Sequence, residues 1–163
     1  MALTRINNNS LSAVTAAGLP QYEGQVLQVV QFQGSDTIIN TSDYTSVISG
    51  SITPSSTSSK ILIIATTLVH KNAPGASGDY WSAALYRGTV SGTQLRIIHD
   101  ATHFNASTGS GARVNVVGQE LDSPNTTSAQ TYTLAAKRHS GSTDARFNQA
   151  GSGQLTLMEI VGA

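Results

Sequence analysis

The chain contains no cysteine. Disulfides and thiolate zinc sites are therefore excluded, and cysteine usage says nothing about redox compartment. Charge is scarce as well. Asp, Glu, Lys and Arg make up 11% of the residues, against roughly 25% in ordinary soluble domains. Nine basic residues balance nine acidic ones. No basic stripe is available to neutralise phosphates, so no nucleic-acid partner is expected. No apolar run approaches the ~18 residues of a membrane span, so no membrane insertion is expected. The opening MALTRINNNS lacks an apolar signal core, and no secretory leader is expected.

Small hydroxyl residues fill the space that charge leaves. Ser and Thr form about a quarter of the chain, above ordinary usage. Thr favours strands, whereas Ser, Asn and Gly favour turns. A length of 163 residues suits one domain with a short arm.

From Gly24 onward, short apolar runs alternate with Gly/Ser/Asn/Pro clusters. The runs are GQVLQVVQF, DTIIN, YTSVISGSI, KILIIATTLVHK, YWSAALYRG, TQLRIIHD, RVNVVGQELD, AQTYTLAAKRH, ARFNQ and QLTLMEIVG. Such spacing predicts eight to ten strands in an all-β, jelly-roll-like antiparallel β-sandwich. In QTYTLAAKRH, Tyr132, Leu134 and Ala136 share one face, with Thr131, Thr133 and Lys137 on the other. In TQLRIIHD, Leu95 and Ile97 alternate with Gln94 and Arg96. ILIIA shows no polar alternation, which predicts a central strand buried on both faces. The tract ITPSSTSSK before it reads as a surface turn whose hydroxyls satisfy their own backbone. Uncharged Thr- and Ala-bearing faces, as in Thr66, Thr67, Ala83 and Ala84, suggest close packing across a symmetry axis.

Residues 1–23 differ from this pattern. MALTRINNNSLSAVTAAGLPQYE has an Asn run and scattered apolar positions at Leu3, Ile6, Leu11, Val14 and Leu19. It reads either as an arm that anchors on a partner, burying those five side chains, or as a peripheral first strand of the body. The body then spans residues 24–163.

Signals of chemistry are weak. His99 and His103 have i, i+4 spacing, which could hold a metal only on a helix, and their flanks read as strand and loop. No serine lies in GxSxG, and STGSG is too short for a phosphate loop. Nothing pairs two of the carboxylates for glycoside cleavage. No catalytic, cofactor-binding or metal-binding residue is assigned, and a non-enzymatic protein is expected. Tyr80 and Trp81, with Tyr86, follow the Gly-rich stretch NAPGASGD. They either stack on a host-surface glycan from a loop edge or fill the core. The small, polar segments at 71–79 and 105–111 are the exposed loops where binding would reside.

Several runs together carry a resemblance: GQVLQVVQF, SITPSSTSSKILIIATTLVH, YWSAALYRG, LDSPNTTSAQTYTLAAK and the terminal LTLMEIVGA. From about Gly24 to the C-terminus the chain resembles small virion proteins and fibre or knob modules of tailed bacteriophages. MALTRINNNSLSAVTAAGLP is similar to the short leader preceding such modules. The resemblance implies a jelly-roll-like sandwich, a homotrimer, a place on the virion surface, and no catalytic residues. It implies a capsid decoration or short fibre protein held to a capsid or tail protein by its arm. A host-receptor or glycan-binding knob is the alternative. So short a leader favours a small standalone piece over a long tail fibre.

Overall fold

The computed structural model describes residues 22–71, 79–104, 113–141 and 144–162. The arm, with Leu3, Ile6, Leu11, Val14 and Leu19, lies outside the described residues, as do most of the two loops at 71–79 and 105–111.

Among the described residues, ten strands follow one another. They are β1 (Val26–Gln33), β2 (Thr37–Ile39), β3 (Thr45–Ile52), β4 (Lys60–Lys71) and β5 (Asp79–Arg87). After these come β6 (Thr93–Phe104), β7 (Arg113–Asp122), β8 (Gln130–Ser140), β9 (Ala145–Phe147) and β10 (Gln154–Ile160). All pairings are antiparallel, and they are nested. β5 pairs with β6, β4 with β7, β3 with β8, β2 with β9 and β1 with β10. The chain is thus one long hairpin rolled up on itself, which is the jelly-roll arrangement. Rolling adds the contacts β10–β4, β9–β4 and β5–β8. One sheet holds β1, β10, β4, β9, β2 and β7, and the other has the order β3-β8-β5-β6.

The two short strands β2 and β9 continue β1 and β10 beyond a break. β10 pairs with β4 over Lys60–Thr66, and β9 resumes at Val69. A break interrupts ladder hydrogen bonds, and buried backbone groups need new partners. Asn148 supplies them. It is 0% exposed and sits in the left-handed region at φ 58. Its Nδ2 donates to Ser35 O at 3.2 Å and to Val47 O at 3.1 Å, while Thr67 Oγ1 donates to its Oδ1 at 2.8 Å. The Asn148 side chain occupies the space that a Cβ at Gly34 or Gly153 would need. That explains two glycines that are not at positive φ.

The core lies between the sheets. Ile61, Ile63, Ala65, Leu155 and Leu157 face Trp81, Leu85, Tyr132, Leu134 and Ala136, all 2% exposed or less. The predicted alternation in β8 is therefore observed. Three details differ from expectation. In β4 only alternate residues are buried; Leu62 and Ile64 lie half-buried on the outer face. In β6 the register slips three times, and two of the slips leave Leu95 and Ile98 unpaired. Each bulge reverses the side-chain parity. Leu95 and Ile98 consequently pack on the core, while Ile97 is 46% exposed. Finally, Thr66, Thr67, Ala83 and Ala84 do not form one face. Thr67 and Ala83 point inward, and Ala84 is covered by Tyr44 and Tyr86 on the outside of the second sheet.

Candidate functional site

Antiparallel pairing sorts the connections to two ends. Asp79 pairs with Phe104, His70 with Arg113 and Tyr80 with Ser140. The strand ends flanking 72–78, 105–112 and 142–143 therefore lie together at one end, the loop end. Val26 pairs with Ile160, and Ile160 with Lys60. The first strand, the last strand and the Ser-rich turn thus meet at the opposite end, the terminal end.

The two aromatic candidates separate at the loop end. Adjacent strand residues face opposite sides of a sheet. Tyr80 is half-buried, but Trp81 is 2% exposed and belongs to the core. Of the two readings of Trp81, the structure gives the core one, and Trp81 is no surface contact. It lines a cavity of about 10 Å³ with Val69, His99, Val116 and Phe147. That is room for about one water molecule and none for a sugar ring. Trp81 Nε1 and His99 Nε2 are both buried there without a hydrogen-bond partner. Tyr86 is buried too, but outside the second sheet. Its ring meets Tyr44 edge-on at 5.6 Å, and Lys137 Nζ lies 4.7 Å from the centre of the Tyr44 ring.

His99 and His103 both belong to β6. On a strand an i, i+4 pair does not have the spacing it has on a helix. Among the described residues, no three His, Asp or Glu side chains gather with metal-binding spacing.

One group of side chains carries the residue types of a hydrolase triad, which sequence spacing could not reveal. On the outer face of the second sheet, Ser82 Oγ donates to Asp100 Oδ1 at 3.1 Å and lies 3.5 Å from His139 Nδ1. Asp100 Oδ1 is 3.9 Å from the same nitrogen. In a working triad the imidazole stands between serine and carboxylate, with one ring nitrogen for each. Here the carboxylate accepts the hydroxyl's hydrogen bond directly, and both approach Nδ1. The order is wrong for activating the serine.

Two buried carboxylates close the terminal end of the core. Glu159 and Asp122 share a row, flanking Ile61 across β4. Glu159 is 1% exposed. Its Oε1 accepts from Ser55 N and Ser55 Oγ, both at 2.6 Å, and from Ser59 Oγ at 2.7 Å. Its Oε2 accepts from Gln28 Nε2 at 2.6 Å. Burial alone would raise the Glu159 pKa; the hydrogen bonds from Ser55, Ser59 and Gln28 outweigh it and hold the carboxyl below its ordinary value. Asp122 accepts from Tyr132 Oη at 2.8 Å and from Arg87 Nη1 at 3.2 Å. Burial, and then Asp122, pushes the Tyr132 phenol up. Each carboxylate is committed to its own donors. The Ser-rich turn is thus not only self-satisfied, as expected: Ser58 N does bond Ser56 Oγ, but Ser55 and Ser59 serve Glu159.

The outer face of the first sheet carries an apolar row. The register aligns Val29, Met158, Leu62 and Leu121 in one row across β1, β10, β4 and β7. Val29 is 53% exposed and Leu121 49%, with Leu62 and Met158 half-buried between them. The next row is mixed, with Ile64 between Thr156 and Gln119, and Gln31 at its β1 end.

No protein-family model and no curated protein matches the sequence. Solved structures do match the fold. A chain in the structure of the infectious bursal disease virus Gx strain superposes with a TM-score of 0.53 at 13% identity, covering 99% of this chain and 50% of that one. A chain of the T13 infectious bursal disease virus particle gives 0.51 at 10% identity, covering 80% of this chain and 30% of that one. The present chain spans half or less of either viral chain. At these identities the likeness is one of fold: the chain is an all-β sandwich of the same general architecture as part of those virus-particle proteins.

Proposed function

We propose that this chain is a non-enzymatic structural protein of a virus particle, a homotrimeric capsid decoration or short fibre protein of a tailed phage displayed on the virion surface. Residues 1–23 attach it to a capsid or tail protein, with Leu3, Ile6, Leu11, Val14 and Leu19 buried at the contact. The observation that carries this reading is the polarity of the sandwich. The arm joins the body at Tyr22, at the terminal end, while the strand ends flanking 72–78 and 105–112 lie at the other. A body held by its arm therefore presents its loops outward. The fold it shares with virus-particle chains supports the same reading. The test is a labelled antibody on intact particles, together with deletion of residues 2–22. Label over the head or tail, lost on deletion while the body remains folded, is the expected result. Unlabelled particles overturn the reading.

A second reading, a host-receptor or glycan-binding knob, is favoured by one observation. Tyr80 is half-buried at the loop end, beside the strand ends that flank 72–78 and 105–112. Binding of the isolated protein to host cells, weakened by Tyr80→Ala, is what this reading expects.

A further inference from the structure

Trp81 of β5 and His99 of β6 line one small cavity inside the sandwich. Each brings a polar atom into the apolar core. Trp81 Nε1 and His99 Nε2 are buried, and neither has a hydrogen-bond partner among the described residues. The facing wall is apolar, made by Val69 of β4, Val114 and Val116 of β7, and Phe147 of β9. Ser82 also touches the cavity, but its hydroxyl donates to Asp100 Oδ1 on the outer face.

The strands explain why room is left there. Ala83 pairs with His99, and on the inner face of β5 it follows Trp81 by two residues. A methyl group at Ala83 leaves part of the layer unfilled beside the indole. His99 itself stands between two register slips of β6, and such slips re-aim side chains.

The chemistry of the two atoms is complementary. An indole N–H only donates, whereas the unprotonated nitrogen of a neutral imidazole only accepts. A buried donor or acceptor without a partner is costly, and ordered water is the usual remedy where protein groups do not meet. Size sets the ligand: about 10 Å³ accommodates about one water and no organic molecule.

We propose that this cavity is the binding site of a single internal water. The water accepts from Trp81 Nε1–H and donates to Nε2 of a neutral His99 that carries its proton on Nδ1. With the proton on Nε2 instead, both side chains would donate, and the hydrogens of the water would face only apolar groups. The bridge ties β5 to β6 across the slipped register, wherever the protein acts.

Trp81 is the only tryptophan in the chain, so its indole gives one unambiguous N–H signal. In the ¹⁵N-labelled, unaltered chain that signal is expected to show a cross-peak to water. Its sign should reverse between laboratory-frame and rotating-frame spectra, the mark of a long-lived water rather than of proton exchange. Imidazole ¹⁵N shifts are expected to place the His99 proton on Nδ1. In His99→Leu, which removes the acceptor at similar volume, the water cross-peak is expected to be lost. Absence of the cross-peak in the unaltered chain overturns the proposal, as does a proton on His99 Nε2. A cross-peak that survives unchanged in folded His99→Leu overturns the bridge. The first two readings use the unaltered chain and stand whether or not the variant folds.

Discussion

Ser59 Oγ donates to Glu159 Oε1 at 2.7 Å, joining a turn and a last strand that stand 100 residues apart in the chain. The contact gives the Ser-rich tract its structural role. A carboxylate buried at the end of an apolar core costs several kcal/mol unless donors surround it. The turn brings three of the four donors, from Ser55 and Ser59, and Gln28 of β1 brings the last.

Glu159→Gln places an amide NH₂ where a carboxylate oxygen now accepts from a serine or from Gln28, and is expected to cost about 1–3 kcal/mol. Ser59→Ala removes one charge-assisted bond and is expected to cost about 1.5–3 kcal/mol. Urea denaturation of both variants measures this. A stability equal to the unaltered chain would show that the turn does not hold the carboxylate.

Acid stability follows from the same residue. The folded-state pKa of Glu159 lies below its unfolded value. Its contribution is therefore fully present above the unfolded value of about 4.3 and lost as pH falls through the folded one. Below pH 4.3 the unaltered chain is expected to lose stability more steeply than Glu159→Gln. Thermal melts between pH 2 and 6 compare the two slopes.

Asn148 allows the backbone and the side chain to be separated. Asn148→Ala keeps the left-handed backbone and loses the bonds to Ser35, Val47 and Thr67; a loss of about 2–4 kcal/mol is expected. Asn148→Gly loses the same bonds without the left-handed strain, and should be milder by about 1 kcal/mol. Equal midpoints for the two variants in urea would remove the backbone part of this account.

Gly50 lies where an added Cβ would meet the Phe32 ring, which packs over it from β1. Gly50→Ala is expected to cost about 1–3 kcal/mol through overpacking. Phe32→Leu should recover part of that loss, giving a coupling above about 0.5 kcal/mol in a double-mutant cycle. Strict additivity would mean that the two do not touch.

Trp81→Ala and Tyr80→Ala should part company. Trp81 fills the core, so its truncation is expected to cost about 3–5 kcal/mol. Tyr80 is only half-buried, and its truncation should cost less than that of Trp81. Any loss of surface binding in Trp81→Ala would then track unfolding, whereas in Tyr80→Ala it would report a contact. Comparing binding with melting temperature in both variants checks this.

The sequence by itself determined the strands. KILIIATTLVHK and RVNVVGQELD coincide with β4 and β7 residue for residue, because period-two burial and turn residues are local signals. It also determined the class, since short alternating runs without long amphipathic helices pack only as sheet on sheet. Position on the face was decided by tertiary structure wherever the period broke. The β6 bulges exchanged Ile97 for Ile98, and a bulge leaves no local mark in the residues that make it. Trp81 and Tyr80 are neighbours in a run where either could face inward, and only the pairing of β5 with β8 settled which one does. Buried polar nodes were equally hidden. Glu159 meets Ser55 and Ser59, Asn148 meets Thr67 and Val47, and Asp122 meets Arg87 across separations that spacing rules do not span. A hydrogen bond depends on where two strands land, and that is fixed by how the hairpin rolls up rather than by any one stretch of it.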